Sequence, residues 1–204
     1  MSYYTRVLGT QNPDIHLDEL LQALEDQDLS AKFMMSPDET ADKWTVIQVN
    51  NKKGEPLVQI EKNPVAEEEA GGEELEELRE NIKECQPASA AKWLDAYFSN
   101  VKVIYAFQML NASLEDENFP IVEAVKEKIW NLTGGILQAD DEGFSNEDGY
   151  HILWQFSDDA TGEWHCAVLN ENGQWEQFRM ELGDMKQRKD FLAGKVPVSA
   201  KRVK

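Results

Sequence analysis

Basic side chains are scarce in this chain. Lys and Arg together number 20 against 39 Asp and Glu, giving a formal net charge of −19. That balance argues against direct binding to a nucleic-acid backbone, because phosphate contacts need clustered cations. Adsorption to anionic lipid is disfavoured for the same reason. Cysteine is nearly missing. Cys85 and Cys166 stand at no metal-ligand or redox spacing and read as small buried hydrophobes. No uninterrupted run of about 18 apolar residues occurs, and the opening MSYYTRVLGT has neither a basic n-region nor an apolar h-region. A cytoplasmic location away from membranes is the expectation. Gly71-Gly72 and Gly134-Gly135 lack the contexts of dinucleotide and phosphate loops, and no G-x-S-x-G elbow is present. No cofactor is therefore expected.

What is present describes an ordinary globular chain, with 41% hydrophobic and 29% charged residues. Tyr3 to Gly9 reads as a strand, and Leu17, Leu20, Leu21 and Leu24 follow at helical spacing with Asp18 and Glu19 in the first turn. Strands are expected at Ala31 to Met35, Trp44 to Val49 and Pro56 to Ile60, separated by the turns SPDETAD and NNKKG. Glu67 to Cys85 carries nine acids against two bases, yet Leu75, Leu78, Ile82 and Cys85 keep a helical stripe. Pro87 breaks that helix, and Ser89 is the expected cap of the next. Val101 to Leu110 reads as a strand, and Pro120 opens a helix that Gly134-Gly135 end. Ile136 to Ala139 and Tyr150 to Phe156 are expected as strands on either side of an acidic loop, Asp140 to Gly149. Glu163 to Asn170 and Gln174 to Leu182 then complete an antiparallel meander with Tyr150 to Phe156. The tail from Lys186 holds seven Lys or Arg against one Asp. FLAGKVP can pack, VSAKRVK is expected to fray, and a basic arm on an acidic body can fold back.

Ser36 to Pro56 lies over Ser157 to Trp175 with short gaps, matching Ser36 to Ser157, Asp38 to Asp159, Trp44 to Trp164, Asn50 to Asn170 and Gly54 to Gly173. A strand, a helix and a strand precede each stretch. Shared turn chemistry could produce the same likeness, but the order of elements points to internal duplication. The expected fold is α+β: two β-α-β-β-β units with antiparallel sheets, joined by a two-helix connector. The boundaries are 1–64 for the first unit, 65–100 for the acidic connector, 101–185 for the second unit with its acidic insertion, and 186–204 for the basic tail.

The insertion is where function is sought. Asp140, Asp141, Glu142, Glu147 and Asp148 surround Phe144, with Trp154 close in sequence. These residues are the expected surface for a basic protein partner, in a non-catalytic module of the inhibitor, immunity or nucleic-acid-mimic kind. A hard cation would suit the same oxygens, although no register of the loop supplies an EF-hand. Glu142 or Asp140 with His151 could instead serve a hydrolase. His151 and His165 fall in expected neighbouring strands, but without zinc-site spacing. No catalytic or metal-binding residue is assigned from sequence.

Overall fold

The computed structural model describes residues 3–203. In chain order the elements are β1 (Tyr3–Gly9), α1 (Leu17–Glu25), β2 (Lys32–Met35), β3 (Val46–Asn50), β4 (Pro56–Pro64), α2 (Ala70–Asn81), α3 (Ala88–Tyr97) and β5 (Val103–Met109). They continue with α4 (Phe119–Thr133), β6 (Ile136–Ala139), β7 (Gly143–Ser145), β8 (His151–Trp154), β9 (Glu163–Leu169), β10 (Trp175–Glu181), α5 (Met185–Leu192) and β11 (Lys201–Arg202). Helices and a mixed set of strands make the chain α+β. It divides into two compact units that interleave along the sequence. The first runs to Gly72 and resumes over Val101–Gly135; the second takes Glu73–Asn100 and everything from Ile136.

In the first unit the strands lie in the order β1-β5-β4-β3-β2, each pair antiparallel. Alternation sends Val7, Tyr105, Phe107, Val58, Ile60, Ile47 and Val49 to one face, and all are fully buried. Helices α1 and α4 contact each other, and α4 also contacts β1. Leu17, Leu20 and Leu24 form the buried stripe of α1, whose start is fixed by the His16 N–H donating to the Glu19 carboxylate at 3.2 Å. Pro120 occupies the first turn of α4, and the Gly134 N–H closes its end on the Trp130 carbonyl. Gly135 must be glycine: φ is 97° there, and a Cβ would stand 2.0 Å from the Leu8 carbonyl oxygen.

In the second unit β6, β7 and β8 form an antiparallel run, and β9 pairs antiparallel with β10, which pairs with β11. A buried cluster of Cys166, Val168, Phe178, Met180, Leu182 and Phe191 gathers Trp154, Phe156 and Trp164 around it. Arg188 of α5 is 5% exposed, and its guanidinium donates to the carbonyls of Leu182, Asp158 and Ala160 while lying over the Trp154 ring.

Several expectations need correction. The C-terminal strands are not a simple meander: β8 meets β9 in parallel, through His151 opposite Cys166. The SDDATG stretch is no hairpin turn, because residues 155–162 carry the chain back before β9 begins. The tail does not fray over its described part. Asp184 caps α5 by accepting from the Lys186 and Gln187 N–H groups, and β11 pairs with Phe178 and Arg179. Lys201 reaches Glu163 at 2.7 Å and Arg202 reaches Glu176 at 3.5 Å, so the basic arm folds back onto carboxylates. Lys204 lies outside the described residues. The α3 cap is Pro87 rather than Ser89.

The strand pairings of the two aligned stretches do not reproduce one another. β2 and β3 are antiparallel where β8 and β9 are parallel. β5, the expected head of the second repeat, sits between β1 and β4 in the first unit. Trp44 is buried ahead of β3 and donates to the Ile15 carbonyl, whereas Trp164 lies within β9 and is only partly covered. The likeness resides in the turns. Ser36 donates to Asp38 as Ser157 does to Asp159, and it is Asn51, one residue past the matched Asn50, whose side-chain oxygen accepts from the N–H four residues on as that of Asn170 does. The two helices expected as a connector are present, and residues Glu73–Asn100 belong to the second unit.

Candidate functional site

The acidic stretch after Ala139 is not an open loop but two consecutive hairpins that share β7. β6 turns into β7 through Asp140 to Glu142, with Asp141 at φ 59°. Gly143 follows at φ 122°, where a Cβ would fall 2.0 Å from the Leu153 carbonyl oxygen. That close approach lets β7 pair with β8 on its other side. Phe144 is completely buried, its ring centroid 5.8 Å from that of Phe98. It anchors the hairpins from beneath and does not belong to the contact surface expected of them.

The second turn is fixed by Asn146, which is 1% exposed. Its side-chain oxygen accepts from the N–H groups of Asp148 at 3.1 Å and Tyr150 at 2.9 Å. The carboxylates on this frame are held. Glu147 accepts from the Tyr97 hydroxyl at 2.7 Å, and Asp148 accepts from the Gln177 amide at 3.1 Å. Burial, reinforced by that bond to Glu147, pushes the Tyr97 phenol above its usual range, so it remains a donor at any ordinary pH. Asp141, Glu147 and Asp148 are exposed, while Asp140 and Glu142 are half-buried. The structure thus divides the five acids between two turns at opposite ends of β7, Asp140, Asp141 and Glu142 before it and Glu147 and Asp148 after it. Trp154 faces elsewhere. Its indole N–H donates to the Phe156 carbonyl at 3.0 Å, and its ring lies under Arg188.

His151 is sealed rather than poised. It is 2% exposed, with the rings of Phe156, Trp164 and Phe191 at centroid distances of 4.8, 5.7 and 6.0 Å. Burial alone lowers its pKa to about 3, and Nε2 finds no partner. The Glu142 carbonyl accepts from the Gln155 N–H, which places Glu142 across from a position four residues beyond His151, roughly 13 Å along an extended chain. The two backbone positions do not converge. His165 is exposed beside Tyr150, and Cys166 is buried with its thiol pushed up to about 12 by desolvation. Among the described residues no group of three or more His, Cys, Asp or Glu is arranged to hold a metal ion.

Two further features have no motif to announce them. α2 presents Glu73, Glu76, Glu77 and Glu80 along one open groove. A cleft of about 260 Å³ in the first unit is lined by Asp28, Ser30, Asn51, Lys52, Lys53, Asn118 and their neighbours. Buried Asn51 and Asn118 bond to each other at 3.3 Å, and Lys53 pairs with Glu117 at 2.8 Å. These bonds tie the β3–β4 turn to the start of α4, which is a structural role. The periodicity of EELEEL and the NNKKG turn signalled each element, but not the concave surface beside it. The chain matches no family model, no curated protein and no solved structure.

Proposed function

We propose that the protein is a non-catalytic, acidic binding module that engages a basic protein partner through the β6–β7–β8 hairpins, whose two turns bear Asp140, Asp141 and Glu142, and Glu147 and Asp148. The observation that carries this reading is the frame under the charges. Phe144 is buried, Asn146 pins the turn, and Tyr97 and Gln177 orient Glu147 and Asp148. Carboxylates fixed before encounter lose less freedom on binding than those on a mobile loop. An excess of one sign of charge also steers an oppositely charged partner. The glutamate face of α2 extends the same chemistry within the second unit. An inhibitor or immunity protein, or a mimic of nucleic acid, would use such a surface to fill a phosphate-binding cleft. A reducing cytoplasm suits the free thiols of Cys85 and Cys166.

The test is a binding titration against arginine-rich peptides and a panel of basic globular proteins, at low and high salt. The intact protein is compared with an Asp140→Asn, Asp141→Asn, Glu142→Gln variant, which keeps shape and removes charge. The reading predicts salt-sensitive association that weakens at least about tenfold in the variant, about 1.4 kcal/mol. Equal binding by both proteins would overturn it.

A further inference from the structure

β2 hydrogen-bonds to β3 on one side and ends the row of strands on the other. Among the described residues no strand meets its outer edge, whose backbone N–H and C=O groups are the natural template for a further strand. The side chains there are unusual for an edge facing water. Met34 is 56% exposed, Met35 39% and Val46, at the adjoining end of β3, 39%. Among the described residues, seven large apolar side chains are exposed, and these three are the ones gathered at a sheet edge. The register places Met34 beside Gln48 and Met35 beside Ile47, so the two methionines face opposite sides of the sheet. An added strand would cover both.

The surroundings specify the charge of that strand. Asp26 and Asp28 precede β2, and Asp38 and Asp42 follow it, all exposed. Ser36 holds Asp38, and a bond from Thr40 to Asp42 keeps that carboxyl, like the first, below the usual carboxylate range. Glu39 is fixed by the Thr45 N–H at 2.7 Å. Carboxylates thus stand beyond both ends of a short apolar edge and outnumber the cations near them. Those cations are Lys32 on the strand, Lys43 beside Asp42, and Lys52 and Lys53 in the cleft with Asp28, Lys53 being paired with Glu117. A second copy of this chain would bring like charges to both ends; a segment with an apolar centre and basic ends would meet opposite charge.

We infer that the free edge of β2 is a second interaction site, which takes up an extended, basic-ended peptide segment of a partner protein as an added antiparallel or parallel strand. This site lies in the first unit and stands whether or not the hairpin reading of the second unit holds.

The experiment uses the full chain and a synthetic peptide with a valine- and isoleucine-rich centre and lysine ends. Controls are the same peptide with glutamate ends and a proline-interrupted version, which cannot complete a ladder. Hydrogen exchange read at residues 32–35 should slow with the lysine-ended peptide alone. Affinity should fall at least about tenfold in Met34→Lys and separately in Asp38→Asn with Asp42→Asn. It should be unchanged in the Asp140→Asn, Asp141→Asn, Glu142→Gln variant, which separates this site from the hairpin. Two results would overturn the inference. One is unchanged exchange at β2 with every peptide. The other is protection of β2 that appears without peptide and rises with protein concentration, which would make a second copy the occupant.

Discussion

His151 shows how one side chain can set the acid limit of a fold. Its cage of Phe156, Trp164 and Phe191 admits the neutral ring only, with the pKa lowered to about 3. In the unfolded chain the same imidazole takes up a proton near pH 6.5. Between those values the unfolded state binds more protons, so stability is full above about pH 6.5 and declines as pH falls toward 3. Going from pH 6.5 to pH 5 should remove about 2 kcal/mol. Urea unfolding of the native protein and of His151→Phe at pH 7 and pH 5 checks this, the variant losing less over that interval. At Gly143, the 2.0 Å approach of the Leu153 carbonyl leaves no room for a methyl group. Gly143→Ala should cost about 3 kcal/mol, read as a lower urea midpoint. Neither role was legible in the sequence. His151 looks like any polar residue in a strand, and the need for glycine at 143 arises from a carbonyl ten residues away in the chain.

Elements with apolar periodicity were legible, and those whose buried face is polar were not. The stripe Leu17, Leu20, Leu24 announced α1, and Pro120 with Gly134-Gly135 marked the two ends of α4, whose apolar residues Ile121, Val122, Val125 and Ile129 are buried. α5 gave no such signal, because MKQRKDFL buries Gln187 and Arg188 beside Phe191. What holds that helix is a set of carbonyls for a guanidinium, which no hydrophobic pattern records. Arg188→Met should lower stability by about 2 kcal/mol, since the buried Leu182 carbonyl and the part-buried Asp158 and Ala160 carbonyls lose their donor, and thermal melts would show it. Strand pairing was the other blind spot. The turn chemistry of Ser157 and Asp159 is the same in a hairpin and in a returning connection, so local sequence could not separate antiparallel from parallel. β7 was hidden inside an acidic run whose one apolar residue, Phe144, was read as part of a contact surface and is instead buried.

Over the whole molecule, a net charge of −19 means that self-repulsion opposes the folded state. Added salt shortens the Debye length from about 10 Å at 0.1 M to about 3 Å at 1 M, and sodium chloride over this range should raise the melting temperature. A fall would mean that pairs such as Lys201 with Glu163 outweigh the general repulsion. The interleaving of the two units also governs the order in which the chain can be made. Translation delivers β4 early, but its partner β5 emerges only after α2 and α3 have been synthesised. A nascent chain therefore carries β2, β3 and β4 as an incomplete sheet, with the exposed edge of β4 waiting while the glutamate-rich α2, and then α3, leave the ribosome. Those carboxylates repel one another and other nascent chains at the moment when an unpaired strand is most prone to join the wrong neighbour.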